Sequence, residues 1–548
     1  MKSVQRFGLA LVGLALVGLG CGGGAGGGPD GGGGDDDMVD GTPKPLPAAA
    51  CAAASGGGSS MTQLPTMMAS LKERYHEGWL ASPAVADLDR DGMNEVVIAR
   101  AGRLLTFRPD GTVKWGFDVT GRIWASPIVA DFVGDADLEV VFAAREKIYM
   151  LTAAGAVSPG FPVSWRDEVR SLAAGDVDAD GRLEIVAVTN NPLAGTVRDI
   201  IKVYRGDGST QAGFPPNTTG RSGCDMACYV TGGYDQNVAV GPIDDDASWD
   251  ILTGQDNAYM SWHKGSGVAF DAAAIFRMRT KVLGIRFLHD YALAQQGYAN
   301  DEATANQAHF TNTAPAIADL DGDGKNELIA LGSVQNASQT DRLRGVGLWV
   351  LNPDGTRPAA WTTPLHVPQY LAGLWDFDGE NIVAATNQVS IGDLDPQTPG
   401  LDMVFAGFDG KIHLVGADKV ERWSYTYTTA NNVLTGGVAL ADLSGDGVPE
   451  IVFATYSTAM NVSALFVVDA RGALQHKLAL PKRGSMAVPT VADVNGDGTL
   501  EIVVNLKDGA DGMPLALAYT VPGSSANCIL WGTGRGSLLR GGYFRKAP

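Results

Sequence analysis

The chain has 548 residues and no run of lysine or arginine that would build a basic face; its 61 acidic residues outnumber 41 basic ones, for a net charge of −20. A nucleic-acid binder needs a basic face to displace counterions, so that class is excluded. Attraction to anionic lipid headgroups through surface charge is excluded with it. Long apolar runs are missing as well. The one pronounced run, residues 7–20, has 14 residues, whereas a membrane-spanning helix needs about 20. There is no G-x-S-x-G elbow, H-E-x-x-H helix or phosphate loop. Each would carry a recognisable chemistry, so no catalytic class is announced. The glycine-rich run at 532–536 lacks the strand–turn–helix setting of a phosphate site.

What is present is glycine, 72 residues of it, and 45% hydrophobic residues. Glycine marks either disorder or many tight turns. Here one block lies near the N-terminus and the rest falls between apolar runs. The length suits several domains or one large repeat array.

Residues 1–20 read as an export signal, with Lys2 and Arg6 ahead of the apolar stretch. The segment Gly18-Leu19-Gly20-Cys21 resembles a bacterial lipobox, with Gly18 where that pattern usually has leucine. The resemblance implies lipidation of Cys21. Gly22 after it, rather than aspartate, implies the outer membrane. A plain signal peptide with an incidental Cys21 is the alternative. Residues 21–60 hold almost no large apolar side chains and cannot bury enough surface to fold. They read as a flexible Gly-rich tether, spanning roughly 35 Å on average.

Residues 61–548 carry a repeat. An apolar strand leads into D-x-D-x-D-G-x-x-E and then a Val/Ile-rich strand. The frame begins at Asp87, Asp131, Asp176, Pro242, Asp319, Asp393, Asp442 and Asp493, at a mean spacing of about 58 residues. Asp-Gly or similar turns follow at 109–111, 207–208, 353–355, 409–410 and 471–472, a hairpin signal. Each unit is thus about four short antiparallel strands. The sequence predicts an all-β fold, a β-propeller of eight blades, with seven as runner-up. Segment 528–544 is expected to complete the last blade.

The acidic loops hold the chemistry. Calcium takes 6–8 oxygens at 2.3–2.6 Å in a flexible shell, whereas magnesium prefers a tighter octahedron. Carboxylates at positions one, three and five, a carbonyl at seven and an acid at nine supply such a shell. Glycine at six permits the turn. The expected sets are Asp87, Asp89, Asp91, Met93 and Glu95; Asp176, Asp178, Asp180, Arg182 and Glu184; Asp319, Asp321, Asp323, Lys325 and Glu327; and Asp493, Asn495, Asp497, Thr499 and Glu501. A fifth is Asp442, Ser444, Asp446, Val448 and Glu450. The other three loops are damaged, by Val133 and Ala136, by Pro242, and by an extra residue before Asp402. The frame resembles the loop of FG-GAP/VCBS repeats, as in integrin α-subunit propellers. That resemblance covers about residues 79–545 and implies roughly five structural Ca2+ ions. Asp/Gly turns without metal are the bland alternative.

With Cys21 lipidated, four cysteines remain, an even count that suggests disulfides in an exported chain. Cys224 with Cys228 leaves Cys51 with Cys528; zinc at Cys224 and Cys228 is the alternative. Long loops at 190–234 and 266–310 hold His289, Asp290, Asp301, Glu302 and His309, with a short helix expected near 290–298. The cluster Arg277, Arg279, Lys281 and Arg286 lies there too. Trp262, Trp361, Trp375 and Trp423 could stack on sugars or pack blades. The expected function is a monomeric cell-surface binding or adhesion module with a protein or carbohydrate ligand. A polysaccharide lyase on the same scaffold is the alternative.

Overall fold

The computed structural model describes residues 52–545 apart from 56–57, 60, 75–76, 190–200, 216–236, 255–259, 269–306, 310–312, 336–343, 355, 370, 372–386, 395–397 and 510. The strands form an eight-bladed propeller of antiparallel sheets. Blade 1 shows the pattern, with Ala84–Ala86, Glu95–Arg100, Arg103–Phe107 and Val113–Asp118 paired in chain order. The first strands of neighbouring blades touch one another and line the centre.

Burial follows position in the blade. Ala84–Ala86 and Glu95–Arg100 are buried along their whole length. They are sandwiched between adjacent blades, so both faces are apolar and the sequence shows a continuous run. The outermost strand, Val113–Asp118, alternates toward solvent. Tryptophans staple the sheets together. Trp115, Trp361 and Trp423 each donate an indole N–H to a carbonyl of the next blade, at Ala153, Ala417 and Ala470 (2.9, 2.7 and 2.6 Å). Of the four tryptophans considered for sugar stacking, Trp262 and Trp361 are fully buried, Trp423 packs against the main core, and Trp375 lies outside the described residues.

The ring closes differently from the expectation. The last blade joins Thr490–Ala492, Glu501–Asn505 and Pro514–Thr520 to Thr66–Lys72 from the N-terminal side. The 528–544 segment instead winds around the inner rim. Ile529–Trp531 pairs with Ala439–Ala441 of blade 7. Gly532 O then accepts from Val491 N of blade 8 (2.7 Å), and Leu538 O from Val129 N of blade 2 (3.3 Å). Leu539, Gly541 and Gly542 serve Ala174, Val240 and Ile317 of blades 3, 4 and 5 (2.8, 2.7 and 2.8 Å). The physical reason is hydrogen-bond satisfaction. Each first strand has an inner edge with no neighbour, and buried N–H groups must be paired. Fully buried Arg540 binds the tail to the rim through Pro83 O (2.9 Å) and Pro127 O (3.0 Å), and braces the tail itself through Gly534 O (2.6 Å).

Candidate metal centres in the acidic loops

Each acidic loop joins the first strand of a blade to its second, so all eight lie at one end of the ring. The turn is left-handed at position six, with φ of +86° at Gly92, +86° at Gly181 and +90° at Gly324. A side chain is strained there. Position four is left-handed as well, at Arg90 (+58°), Ala179 (+59°) and Gly322 (+82°), which the motif alone does not announce.

Much of the acid in these loops holds backbone. Asp87 accepts the N–H groups of Asp91 (3.1 Å) and Gly92 (2.9 Å). Asp176 does the same for Asp180 and Gly181, and Asp131, Asp319, Asp442 and Asp493 accept the N–H groups of the fourth and sixth residues of their loops. The fifth-position carboxylates Asp91, Asp180, Asp323, Asp446 and Asp497 each accept from the residue two further on. These residues are Met93, Arg182, Lys325, Val448 and Thr499, so the candidate carbonyl ligands sit in Asx-turns.

The closing acid has one role in all eight loops. Glu95, Glu139, Glu184, Asp250, Glu327, Asp402, Glu450 and Glu501 each accept from the N–H of the loop's second residue, at 2.6–3.3 Å. Loops with damaged ligand sets keep this tie, so it is part of the turn. In the glutamates the tie uses Oε2 and leaves Oε1 for another partner.

Three loops bring carboxylates together: Asp87, Asp89 and Glu95; Asp176, Asp178 and Glu184; Asp319, Asp321 and Glu327. In each, one oxygen per residue lies within 4.8 Å of the others. These three clusters could hold a metal ion. Asp91, Asp180 and Asp323 are outside the convergence, as are the loops at Asp442 and Asp493 among the described residues. In the first of those, Asn527 Nδ2 donates to buried Asp442 (2.8 Å), and Ser59 N and Ala54 N bond Ser444 O and Gly445 O (2.9 and 3.0 Å). In the second, Asn495 Nδ2 donates to Asp497 (3.0 Å).

Burial and crowding raise the closing acids of the three converging loops. The Glu184 carboxyl is pushed up to about 8 by desolvation first, then by Asp178. Glu327 rises to about 7 by desolvation, with Asp321 and Asp323 adding to it. A bound divalent cation would favour the ionised forms. Some loops carry a base of their own. Lys114 Nζ lies 2.5 Å from Asp89 and 2.8 Å from Glu95. Arg205 and Gln211 contact Asp178. In damaged loop 4, Lys264 bridges Asp244 and Asp246. The cluster at Asp319, Asp321 and Glu327 has no ion-paired base among the described residues. The sequence signal for Arg205 and Lys264 is position, since each directly follows the third strand of its blade. Blade 5 has neutral Asn352 there.

The loops are also chained around the ring. Asn94 donates to Asp493 O (2.6 Å) and Val494 O (3.0 Å), Asn326 to Pro242 O (2.7 Å) and Trp249 to Asp176 O (2.9 Å). A change at one loop therefore reaches the next blade.

Cys528 is disulfide-bonded. Cys21, Cys51, Cys224 and Cys228 lie outside the described residues. So do the expected helix at 290–298, the Arg277, Arg279, Lys281 and Arg286 cluster, and the polar loop residues except His309. His309 ends the strand Gln307–His309, which pairs with Glu327–Gln335 of blade 5.

No family model matches the chain, and no curated protein does. Solved structures do resemble it. The V. cholerae biofilm matrix protein Bap1 is 14% identical, over 86% of this chain and 94% of its own, at a TM-score of 0.40. BamB from Moraxella catarrhalis is 12% identical, over 83% and 97%, at 0.43. Bacillus licheniformis rhamnogalacturonan lyase PL11 is 14% identical, over 85% and 76%, at 0.35. At these values the likenesses say nothing of function, and the architecture rests on the strands themselves.

Proposed function

We propose that this chain is a calcium-stabilised binding or adhesion propeller of the FG-GAP/VCBS type, held at the cell envelope by a lipid on Cys21. The carrying observation is the convergence of three carboxylates within 4.8 Å in each of three loops. Carboxylates that close repel one another unless a cation joins them. The flexible oxygen shell and the absence of histidine or cysteine from the clusters favour calcium over zinc or magnesium. Each ion staples a turn between two strands of one blade. The ligand is a protein or carbohydrate at the cell surface, taken up by a monomer, and no chemical step is assigned.

The export signal at 1–20 and the tether at 21–60, whose far end is docked through Ala54 N and Ser59 N on the Asp442 loop, support a location outside the cytoplasm, at the outer membrane. A Cys51–Cys528 disulfide fits the bond from Asn527 Nδ2 to Ala52 O (2.6 Å), which brings the segment after Cys51 beside Cys528. Metal analysis of the full-length chain tests the calcium reading. The expected result is three tightly held calcium ions per chain, rising to five at saturation as the loops at Asp442 and Asp493 fill. A chain isolated free of calcium and unable to take it up overturns the reading. Mass spectrometry of the N-terminal peptide tests the anchor. A diacylglycerol-modified Cys21 is expected, and an unmodified Cys21 removes it.

A further inference from the structure

The end of the ring opposite the acidic loops has a different chemistry. There the connectors enter the first strands of blades 1, 2 and 3, and the second strand of blade 8 ends. Trp79 and Trp124 pack 5.2 Å apart. The Arg122 guanidinium lies over both indoles, 3.9 Å and 4.8 Å from their centres. Lys507 Nζ is 3.1 Å from the Trp79 ring, and Arg170 is 3.8 Å from Trp124. Three cations and two indoles thus form one ladder.

The cations differ in how they are answered. Lys507 faces Glu77 at 2.8 Å, and Glu77 is shared with Arg483 at 3.1 Å. Arg483 also binds Asp508 at 2.6 Å. Arg122 has neither a salt bridge nor a hydrogen-bonded acceptor among the described residues. Its nearest charges, Glu77, Glu168 and Arg170, act only at a distance. The guanidinium is half-buried, stacked in a fixed plane, and keeps its donors unused. Buried Trp79 and Trp124 hold indole N–H groups with no acceptor. Burial pushes the Lys507 ammonium down to about 7, despite Glu77. Around the ladder the cations Arg122, Arg170, Arg483 and Lys507 face the acids Glu77, Glu168 and Asp508, in a protein of net charge −20.

A planar guanidinium held by stacking, with its fork open, matches a carboxylate in two parallel hydrogen bonds. We infer that this mouth of the ring binds an anionic ligand through a carboxylate seated on Arg122, with Arg170 beside it on the same indole ladder. The site deepens the binding reading above and rests on it, but does not depend on calcium at the other end. The indoles are too buried to offer a stacking face, so the ligand is selected by charge. A neutral molecule of the same shape is rejected.

The test titrates the full-length calcium-loaded chain with glucuronate, glucose and acetate, following tryptophan fluorescence. Saturable binding of glucuronate and none of glucose is expected. Arg122→Met keeps the packing on the indoles and should weaken glucuronate at least tenfold, with the melting curve unchanged. Arg122→Lys keeps the charge without the fork and should fall between. Acetate binding as well as glucuronate also supports the site, with the carboxylate alone recognised. Equal binding of glucose, no saturable glucuronate signal, or an unchanged affinity in Arg122→Met overturns the proposal. A chelator that lowers stability leaves the calcium reading standing in every one of these outcomes.

Discussion

Blades 4 and 5 begin from similar acidic loops and answer the same repulsion in two ways. In blade 4, Lys264 bridges Asp244 and Asp246, whose carboxyl is held down at about 2, first by that lysine. In blade 5, Asp319, Asp321 and Glu327 converge with no base beside them among the described residues. One loop carries its own cation and the other leaves room for an external one. Blade 1 lies between them, with a complete acidic set and Lys114 already at its edge. The comparison teaches that the acidic motif is first a turn device. Metal binding is a second role, least opposed where no nearby base contacts the carboxylates, and met by Lys114 and Arg205 at the first and third loops.

The largest effect should come from splitting the closing acid's two roles. Glu327→Ala removes a tie to Leu320 N–H and a metal ligand, whereas Asp250→Ala removes only backbone ties, to Ile243 and Asp244 N–H. In chelator the two should cost similar amounts, about 1–3 kcal/mol for the buried N–H left without a partner. In calcium, Glu327→Ala should cost about 2.7 kcal/mol more, the linkage of one site at a hundredfold excess over Kd. Chemical denaturation in both conditions reads this, and equal costs in calcium would break the distinction.

A pH comparison follows. A carboxyl whose folded pKa lies above its unfolded value supports the fold below the unfolded pKa, and that support is lost as pH rises through the folded pKa. Glu139 and Asp250, raised to about 7 by burial first, belong to loops without a full ligand set. Glu184 and Glu327, raised to about 8 and about 7, belong to converging clusters. Without calcium, melting temperature should fall from pH 5 to pH 8. Calcium should restore only the share owed to the clusters. Full restoration by calcium would mean that damaged loops bind it too.

Lys264→Met should cost about 1–2 kcal/mol by leaving Asp244 and Asp246 face to face without their cation. Part of that loss should return with calcium. Lys114→Met is the smallest case. Stability should change little, while calcium affinity at the first loop rises about tenfold, since the ion no longer displaces a lysine. Isothermal titration reads the gain, and an unchanged affinity would place Lys114 outside the site.

The strand pattern was legible because buried strands need continuous apolar runs and Asp-Gly turns separate them. Trp115 and its counterparts show why outer-strand tryptophans recur. Ring closure was not legible. Thr66–Lys72 carries Met67, Met68 and Lys72 with no acidic loop beside it, and its partner Pro514–Thr520 is some 450 residues away, a pairing no local pattern marks. The inner course of 528–544 was hidden too, because single carbonyls such as Gly532 O and Gly541 O leave no periodicity. Within the loops, ligand types were readable from spacing. That Asp91, Asp180 and Asp323 turn to their own backbone was not, because an Asx-turn and a calcium ligand ask for the same residue. Arg122 was invisible for another reason, since its partners Trp79, Trp124 and Lys507 come from distant parts of the chain.

The central claim is that the converging loops are stapled by calcium, and thermal unfolding of the full-length chain in calcium, then with excess chelator, tests it most directly. A large fall in melting temperature with chelator is predicted, reversed by calcium and not by magnesium. Superimposable curves would contradict the account and reduce all eight loops to turns held by their own hydrogen bonds.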